Sequence, residues 1–179
     1  KVARETAQKA IEAEVKPLAS HLISLEQRYA VPSVNEVMKF NILLTMKQMG
    51  YSFRLEPGQT FAYHDKVLPK YEGKVVKTTN AHFGYGDGFK SDGYLVGDGV
   101  CHLASLMTWT AREAGLEVDA PVAHDFANIP QIEKKHGTSI LSPDQRQNLY
   151  ITNNKDFPVE FVFEYQEDGT LDLRISEVK

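Results

Sequence analysis

Apolar residues recur at alternating steps of four and three along roughly the first thirty positions, as on one face of an amphipathic helix. They are Ile11, Val15, Leu18, Leu22, Leu25 and Tyr29. Pro17 interrupts the pattern, so either the helix kinks there or a second helix begins with Pro17 in its first turn. We expect residues 1–32 to form a helical extension that packs on the rest of the chain; a short coiled coil or a stalk is the alternative.

Two further helices carry start and stop signals. A capping-box pair, Ser33 and Glu36, precedes apolar positions that stop at Gly50, which predicts a helix over 33–49. The other helix is predicted over 101–114, where an apolar face follows a Gly-rich segment and a glycine supplies the stop.

Strand patterns are clearest in the last third of the chain. Apolar and charged residues alternate over 159–165 and again over 171–175, and Asp168-Gly169 between them is a strong hairpin turn. Further short strands are predicted over 51–55, 60–63, 116–122 and 149–152. Helices grouped early and strands grouped late indicate an α+β fold, with an antiparallel sheet that ends in a C-terminal hairpin.

Residues 80–99 are rich in Gly, Asp and aromatic side chains, which is typical of a long surface loop that forms the wall of a cleft. Its GYGDG run at 84–88 is half of a dinucleotide fingerprint, but no helix opens directly after it, so we exclude a dinucleotide site. The aspartates of the loop also lack the alternate-residue spacing of a calcium loop. The sequence indicates no cofactor.

Composition narrows the picture further. The chain has 179 residues, 42% of them hydrophobic and 25% charged, which suits one globular domain with an ordinary core. Because 20 Lys and Arg face 24 Asp and Glu, no positive field attracts phosphate backbones, and we expect no nucleic-acid partner. No stretch approaches the roughly 18 apolar residues of a membrane span. The chain begins with Lys1 rather than Met, which leaves open a signal or membrane anchor outside the given residues.

Cys101 is the only cysteine of the chain, so it cannot form an internal disulfide. A lone cysteine is most often a small buried residue without chemistry. Cys101, however, falls in the first turn of a predicted helix, where unpaired N–H groups and the helix dipole favour the thiolate. The N–H groups of Cys101 and His102 could also face an oxyanion, and Gly97 and Gly99 leave room for a substrate. These features predict a cysteine nucleophile.

A cysteine nucleophile needs a base, and six histidines compete for that role. His102 is adjacent to Cys101, and neighbouring side chains on a helix diverge by about 100°, so a direct pair is awkward. His124 follows the strand predicted over 116–122, whose length nearly equals that of the helix before it. We therefore expect His124 within hydrogen-bond reach of Cys101 or one water away, the alternative being a structural histidine. A zinc site of Cys101, His102 and His124 lacks the usual ligand spacing.

Ordered segments of the chain resemble motifs of the VanW-domain proteins. PGQTFAY at 57–63 resembles their PGETFSFN, and GDGVCHLAS at 97–105 resembles their GGGICQVSS. Shorter matches follow the same order: Asn41 with Gly50, AGLE at 114–117, His124-Asp125 and NNKDFP at 153–158. The resemblance runs from Asn35 to Tyr165, and on it we assign residues 33–179 to a VanW-like domain.

The resemblance implies an extracytoplasmic domain of the bacterial cell envelope, anchored or secreted, with L,D-transpeptidase activity on peptidoglycan. It implies Cys101 as nucleophile and His124 as the catalytic histidine. The chain departs from the pattern at Asp98, which replaces the middle glycine of GGG and sets a carboxylate beside the thiol, where it opposes thiolate formation. Other replacements are His102 for Gln, Asp125 for Ser and HGTSI at 136–140 for RDATV. These departures predict a different substrate or weaker activity.

The first hypothesis is acyl transfer on a peptidoglycan stem peptide. The thiolate attacks the carbonyl before a terminal D-residue and passes the acyl group to an amine of a second stem, with His124 as base and Asp125 or Asp144 orienting it. With water in place of the amine, the site would be a carboxypeptidase or amidase. The expected substrate-binding residues are Gly97, Asp98, Gly99, His102, Ser105, Tyr85 and Tyr94. The second hypothesis is a non-catalytic peptidoglycan-binding module in which the cysteine is inert.

Overall fold

The structure, a computed structural model, describes residues 16–26, 28–93 and 96–179. In this part of the chain it contains two α-helices, α1 (Pro32–Met49) and α2 (Val100–Glu113). The strands are β1 (Lys16–Ser24), β2 (Ser52–Leu55), β3 (Thr60–Ala62), β4 (Val75–Lys77), β5 (Glu117–Asp119), β6 (Tyr150–Thr152), β7 (Val159–Tyr165) and β8 (Thr170–Glu177). The predicted α+β class is confirmed.

The strands form two four-stranded sheets. The first has the order β1-β8-β7-β2 and is antiparallel throughout, with β7 and β8 joined by the hairpin predicted at Asp168-Gly169. The second has the order β4-β3-β6-β5, in which only the β3-β4 pair is parallel. Strands β2 and β3, which flank the Pro57-Gly58 turn as predicted, therefore belong to different sheets.

Aromatic stacking joins the two sheets. Phe53 of β2 stacks on Phe161 of β7 with ring centroids 4.5 Å apart, and on Phe61 of β3 at 4.8 Å. The alternating residues of β7 and β8 that face inward are fully or nearly fully buried in the same core: Val159, Phe161, Phe163, Leu171, Leu173 and Ile175. Helix α2 packs on β1, β5, β8 and α1, so it contacts elements from both halves of the chain.

The N-terminal helix prediction is wrong for the residues that can be compared, because 16–24 form strand β1, paired with β8. Residues 1–15 lie outside the described residues. The inward row of β1 has period two: His21 stacks on Trp109 of α2 at 3.5 Å, and Ile23 is fully buried, whereas Leu22 is 57% exposed. Leu18 and Leu22 also have the spacing of a helix, so this segment fits both a helical and a strand pattern. Its pairing with β8 favours the strand.

Helix α1 ends as predicted but begins differently. Gly50 caps its end in the left-handed region (φ 93°), and its N–H donates to the carbonyls of Met46 and Lys47. At the start, Val31 occupies the N-cap position without a side-chain bond and Pro32 opens the helix, so the predicted capping box does not form. Neither α1 nor α2 is long and apolar enough to cross a membrane.

Candidate functional site

Helix α2 begins at a turn that only glycine can make. Gly99, its N-cap, has φ 97°, and a Cβ there would lie 2.8 Å from the Met38 carbonyl oxygen of α1. Gly97 has φ 87°, and its Cβ would lie 3.0 Å from the Phe83 carbonyl oxygen. The close approach of these backbones sets Cys101 in the first turn of α2, as the sequence predicts.

The thiol of Cys101 is bonded to the backbone of one residue, Ile140. Its Sγ accepts the Ile140 N–H at 3.3 Å, and the S–H can donate to the Ile140 carbonyl oxygen at 3.7 Å. Burial raises the pKa of this thiol to about 11; the Ile140 N–H acts in the opposite direction, and the Asp98 carboxylate raises the pKa further. Burial therefore outweighs the stabilisation of the thiolate that the sequence predicted from the helix start, while the expected effect of Asp98 has the predicted sign.

Cys101 lines a cavity of about 240 Å³ where several separate segments meet. The walls come from Tyr29, from Met38 of α1, from the Gly-rich loop and the start of α2, and from two later segments that include His124 and residues 140–142. Two exposed apolar side chains, Phe126 and Leu141, lie among its lining residues. The cavity is smaller than the roughly 300–1,000 Å³ of sites for drug-sized ligands.

His124 lines this cavity together with Cys101. Its backbone N–H donates to the Gly137 carbonyl oxygen at 3.0 Å, and the neighbouring residues 123 and 138 form a β-bridge. His124 as a residue is 7% exposed, and its ring lies 4.0 Å from the Phe126 ring, centroid to centroid. Its Nδ1 lies 3.2 Å from the Ala127 carbonyl oxygen, which can only accept, so Nδ1 carries the proton and Nε2 keeps its lone pair. Burial lowers the pKa of His124 and favours this neutral form.

Cys101 and His124 share the cavity without a direct hydrogen bond. Among the described residues, the thiol bonds only to the backbone of Ile140, so the expected direct Cys101–His124 bond is absent. The reason is the path of the chain: β5 spans only Glu117–Asp119, where the sequence predicted a strand to residue 122, and an irregular segment carries His124 to the cavity. A contact through one water stays a prediction.

His102 is bonded in the opposite sense to His124. Its Nδ1 accepts the Nε–H of Arg28 at 3.2 Å, and a guanidinium only donates. The ring proton is therefore on Nε2, which lies 3.3 Å from Tyr29 Oη, and the Tyr29 hydroxyl donates in turn to the Asn128 carbonyl oxygen at 3.3 Å. Burial, then the nearby Arg28 charge, lowers the pKa of His102 to about 3.

The acidic residues named from the sequence have different surroundings. Asp98 lines the cavity, and its carboxylate accepts the Asp92 N–H at 3.1 Å; burial is the largest cause of the raised pKa of this carboxyl. Asp125 is exposed and does not orient His124, whose Nδ1 partner is a carbonyl. Asp144 bonds to Arg146 and Gln147 instead. Neither predicted orienting carboxylate fills that role.

Two of the expected substrate-binding residues do not line the cavity. Ser105 is fully buried; its hydroxyl donates to the Cys101 carbonyl oxygen at 2.7 Å and accepts the Thr138 N–H at 2.9 Å. Tyr85 is 71% exposed and is not among the lining residues. Tyr94 lies outside the described residues, whereas the predicted residues Gly97, Asp98, Gly99 and His102 do line the cavity.

Sequence reasoning missed the residues that complete the site from a distance. Arg28 and Tyr29 follow β1, and Ile140 belongs to an irregular segment, so no local pattern marked any of them as a site residue. The HGTSI segment at 136–140 was a usable signal, because it runs along α2 and delivers the Ile140 backbone to the thiol. Within the described ranges, no group of three or more His, Cys, Asp or Glu is arranged to hold a metal ion, including the trio considered for zinc.

The chain was compared with models of known protein families, with curated proteins and with solved structures, and none of the three comparisons gives a match.

Proposed function

We propose that this chain is a cell-envelope acyl transferase that acts on peptidoglycan stem peptides with Cys101 as its nucleophile. The proposal rests on one observation. Cys101, at the start of α2, shares a cavity with His124, which is neutral and whose unprotonated Nε2 can accept the thiol proton. The substrate class and the envelope location rest on the resemblance to VanW-domain proteins.

The reaction needs one thiol, one base and one donor for the oxyanion. The Cys101 sulfur bonds to the carbonyl carbon before the terminal D-residue while its proton passes to His124, and His124 then protonates the departing amine as the C–N bond breaks. An amine of a second stem attacks the thioester, His124 takes its proton, and the C–S bond breaks to restore the thiol. The N–H of His102 already donates to Gly99 at 3.0 Å, which leaves the Cys101 N–H as the helix-start donor for the oxyanion.

A second function is favoured by the raised pKa of the thiol. A cysteine that stays protonated to a pH of about 11 and bonds to Ile140 rather than to a histidine suits a non-catalytic module that binds a peptide end in the same cavity. The apolar rim residues Phe126 and Leu141 serve either function.

Intact-protein mass spectrometry after incubation with tetrapeptide muropeptides tests the proposal. We expect an acyl adduct on Cys101 and cross-linked dimers in the products, both lost in Cys101→Ala, and a rate about 100-fold lower in His124→Gln. His21→Gln is the matched control, because His21 lies on β1 against Trp109 and away from the cavity. Dimer formation by Cys101→Ala at the rate of the unsubstituted chain would contradict the nucleophile, and release of the D-residue without dimers would indicate a carboxypeptidase.

Thiol alkylation across pH separates the enzyme from the binding module. Iodoacetamide should modify the free protein slowly at neutral pH, and the rate should rise only towards pH 11. If the chain is an enzyme, the adduct with muropeptide forms at neutral pH despite the raised pKa of the thiol, because the thiol proton passes to His124 during the attack. Glu72→Cys in a Cys101→Ala background provides an exposed thiol as control. Binding of muropeptides without any adduct or turnover favours the module.

A further inference from the structure

Arg28 is a buried cation without a carboxylate partner among the described residues. Its side chain is 8% exposed, and the acceptors of its N–H groups are all neutral. Nη1 donates to the Ser24 carbonyl oxygen at 2.6 Å, Nη2 donates to that of Pro130 at 2.9 Å, and Nε donates to His102. Burial lowers the pKa of Arg28 to about 10, which still leaves it charged at neutral pH. Burial of a charge without an opposite charge costs free energy, so the burial of Arg28 requires an explanation.

The Nε–H of Arg28 sets the direction of a hydrogen-bond chain that reaches the cavity. Arg28 donates to His102 Nδ1, His102 donates from Nε2 to Tyr29, and Tyr29 donates to the Asn128 carbonyl oxygen. No step can be reversed, because a guanidinium cannot accept and a carbonyl cannot donate. A proton on His102 Nδ1 would meet the N–H of Arg28 head-on.

We propose that Arg28 is a positioning residue of the Cys101 cavity: it holds His102 uncharged and in the Nε2–H form, so that His102 is a fixed hydrogen-bond donor. His102 then cannot accept the thiol proton, and His124 is left as the ring in the cavity that can. Only the part of this inference that makes His124 the base rests on the proposed function. The protonation state of the His102 ring is a property of the free protein.

Two other roles for Arg28 explain less of the structure. An anion site would use its charge, but the second cavity that Arg28 lines is also lined by Glu26 and Glu36, whose carboxylates disfavour an anion. A purely structural role, in which Arg28 connects Ser24 to Pro130, needs only the two terminal nitrogens. It does not explain the bond from Nε to His102.

Nitrogen-15 NMR of labelled histidine side chains tests the inference without a substrate. In the unsubstituted chain, we expect His102 to carry its proton on Nε2 and not to titrate between about pH 5 and 8. In Arg28→Met, which keeps the length of the side chain but removes the donors, His102 should populate the Nδ1–H form and titrate in that range. Arg112→Met is the matched control, because Arg112 makes the corresponding contact with His136 Nδ1 at 3.3 Å. It should leave the His102 signals unchanged.

The outcomes separate this inference from the proposed function. A His102 that carries its proton on Nδ1, or titrates near 6.5, in the unsubstituted chain overturns the inference even if Arg28→Met fails to fold. An unchanged His102 spectrum in folded Arg28→Met also overturns it. Arg28→Met should lose about tenfold in turnover, because His102 is no longer held as a fixed donor and competes with His124 for the thiol proton. If no variant and not even the unsubstituted chain turns over muropeptides, the proposed function fails while the NMR result still decides the role of Arg28.

Discussion

The thiol of Cys101 is subject to two opposing effects, and their sizes decide its state. A helix start stabilises a negative charge by roughly 0.3–1 kcal/mol, which lowers a pKa by less than one unit. Removal of a thiolate from water can raise the pKa by several units, and in this protein it raises the pKa to about 11. Position on a helix is readable from sequence, but desolvation depends on residues such as Ile140 that arrive from elsewhere in the chain.

The depressed pKa of His102 makes a testable statement about stability. An unfolded histidine binds a proton near pH 6.5, whereas folded His102 binds one only near pH 3, so the unfolded state holds more protons between these values. Stability is therefore fully present above about pH 6.5 and falls as the pH drops towards 3, by at most about 5 kcal/mol from this residue. Urea unfolding at a series of pH values should show a shallower decline in His102→Gln, in which the side chain cannot titrate. Parallel curves for the two proteins would contradict the buried, neutral state of His102.

Among the elements, those with one dominant pattern were predicted and those with two were not. The hairpin of β7 and β8 alternates strictly around a turn dipeptide, and α1 ends at a glycine, so local chemistry suffices for both. Strand β1 satisfies both a helical and an alternating pattern, and only its pairing with β8 resolves the choice. The same holds for the site. The Gly97–Gly99 turn and Cys101 could be predicted from the local sequence, whereas nothing in the local sequence indicates Arg28.

Two neighbouring substitutions in β1 test its orientation. Ile23 is fully buried and Leu22 is 57% exposed, the reverse of what the helical stripe through Leu18 and Leu22 requires. We expect Ile23→Ala to lower the free energy of unfolding by about 2–4 kcal/mol and Leu22→Ala to change it by no more than about 0.5 kcal/mol. Chemical denaturation measures both. A larger loss for Leu22→Ala would restore the helical interpretation of this segment.

At the scale of the whole molecule, the cavity exists because distant segments are tied together behind it. Asn41 of α1 is fully buried and bonds at two points to the loop that leads to Cys101, at Lys90 and at Asp98. Its side-chain amide donates to the carbonyl oxygens of Lys90 at 3.0 Å and Asp98 at 2.9 Å, and its Oδ1 accepts the Lys90 N–H at 2.9 Å. One side chain thus connects the first helix with the wall of the cavity.

Asn41→Ala should open this wall as well as destabilise the fold. The substitution removes the side-chain partner of the Lys90 N–H and of the Asp98 carbonyl, for a loss of about 2–4 kcal/mol, and frees the loop to move away from the start of α2. We expect alkylation of the native Cys101 thiol to become about tenfold faster, because local opening relieves the burial that keeps the thiol protonated. Thr45→Val is the matched control: Thr45 is equally buried on the same helix, and its hydroxyl donates to the Asn41 carbonyl oxygen rather than to the loop. If both variants are destabilised and both leave the alkylation rate unchanged, Asn41 supports the core without shaping the cavity; a faster rate in Asn41→Ala alone shows that the wall and the thiol are coupled through this amide.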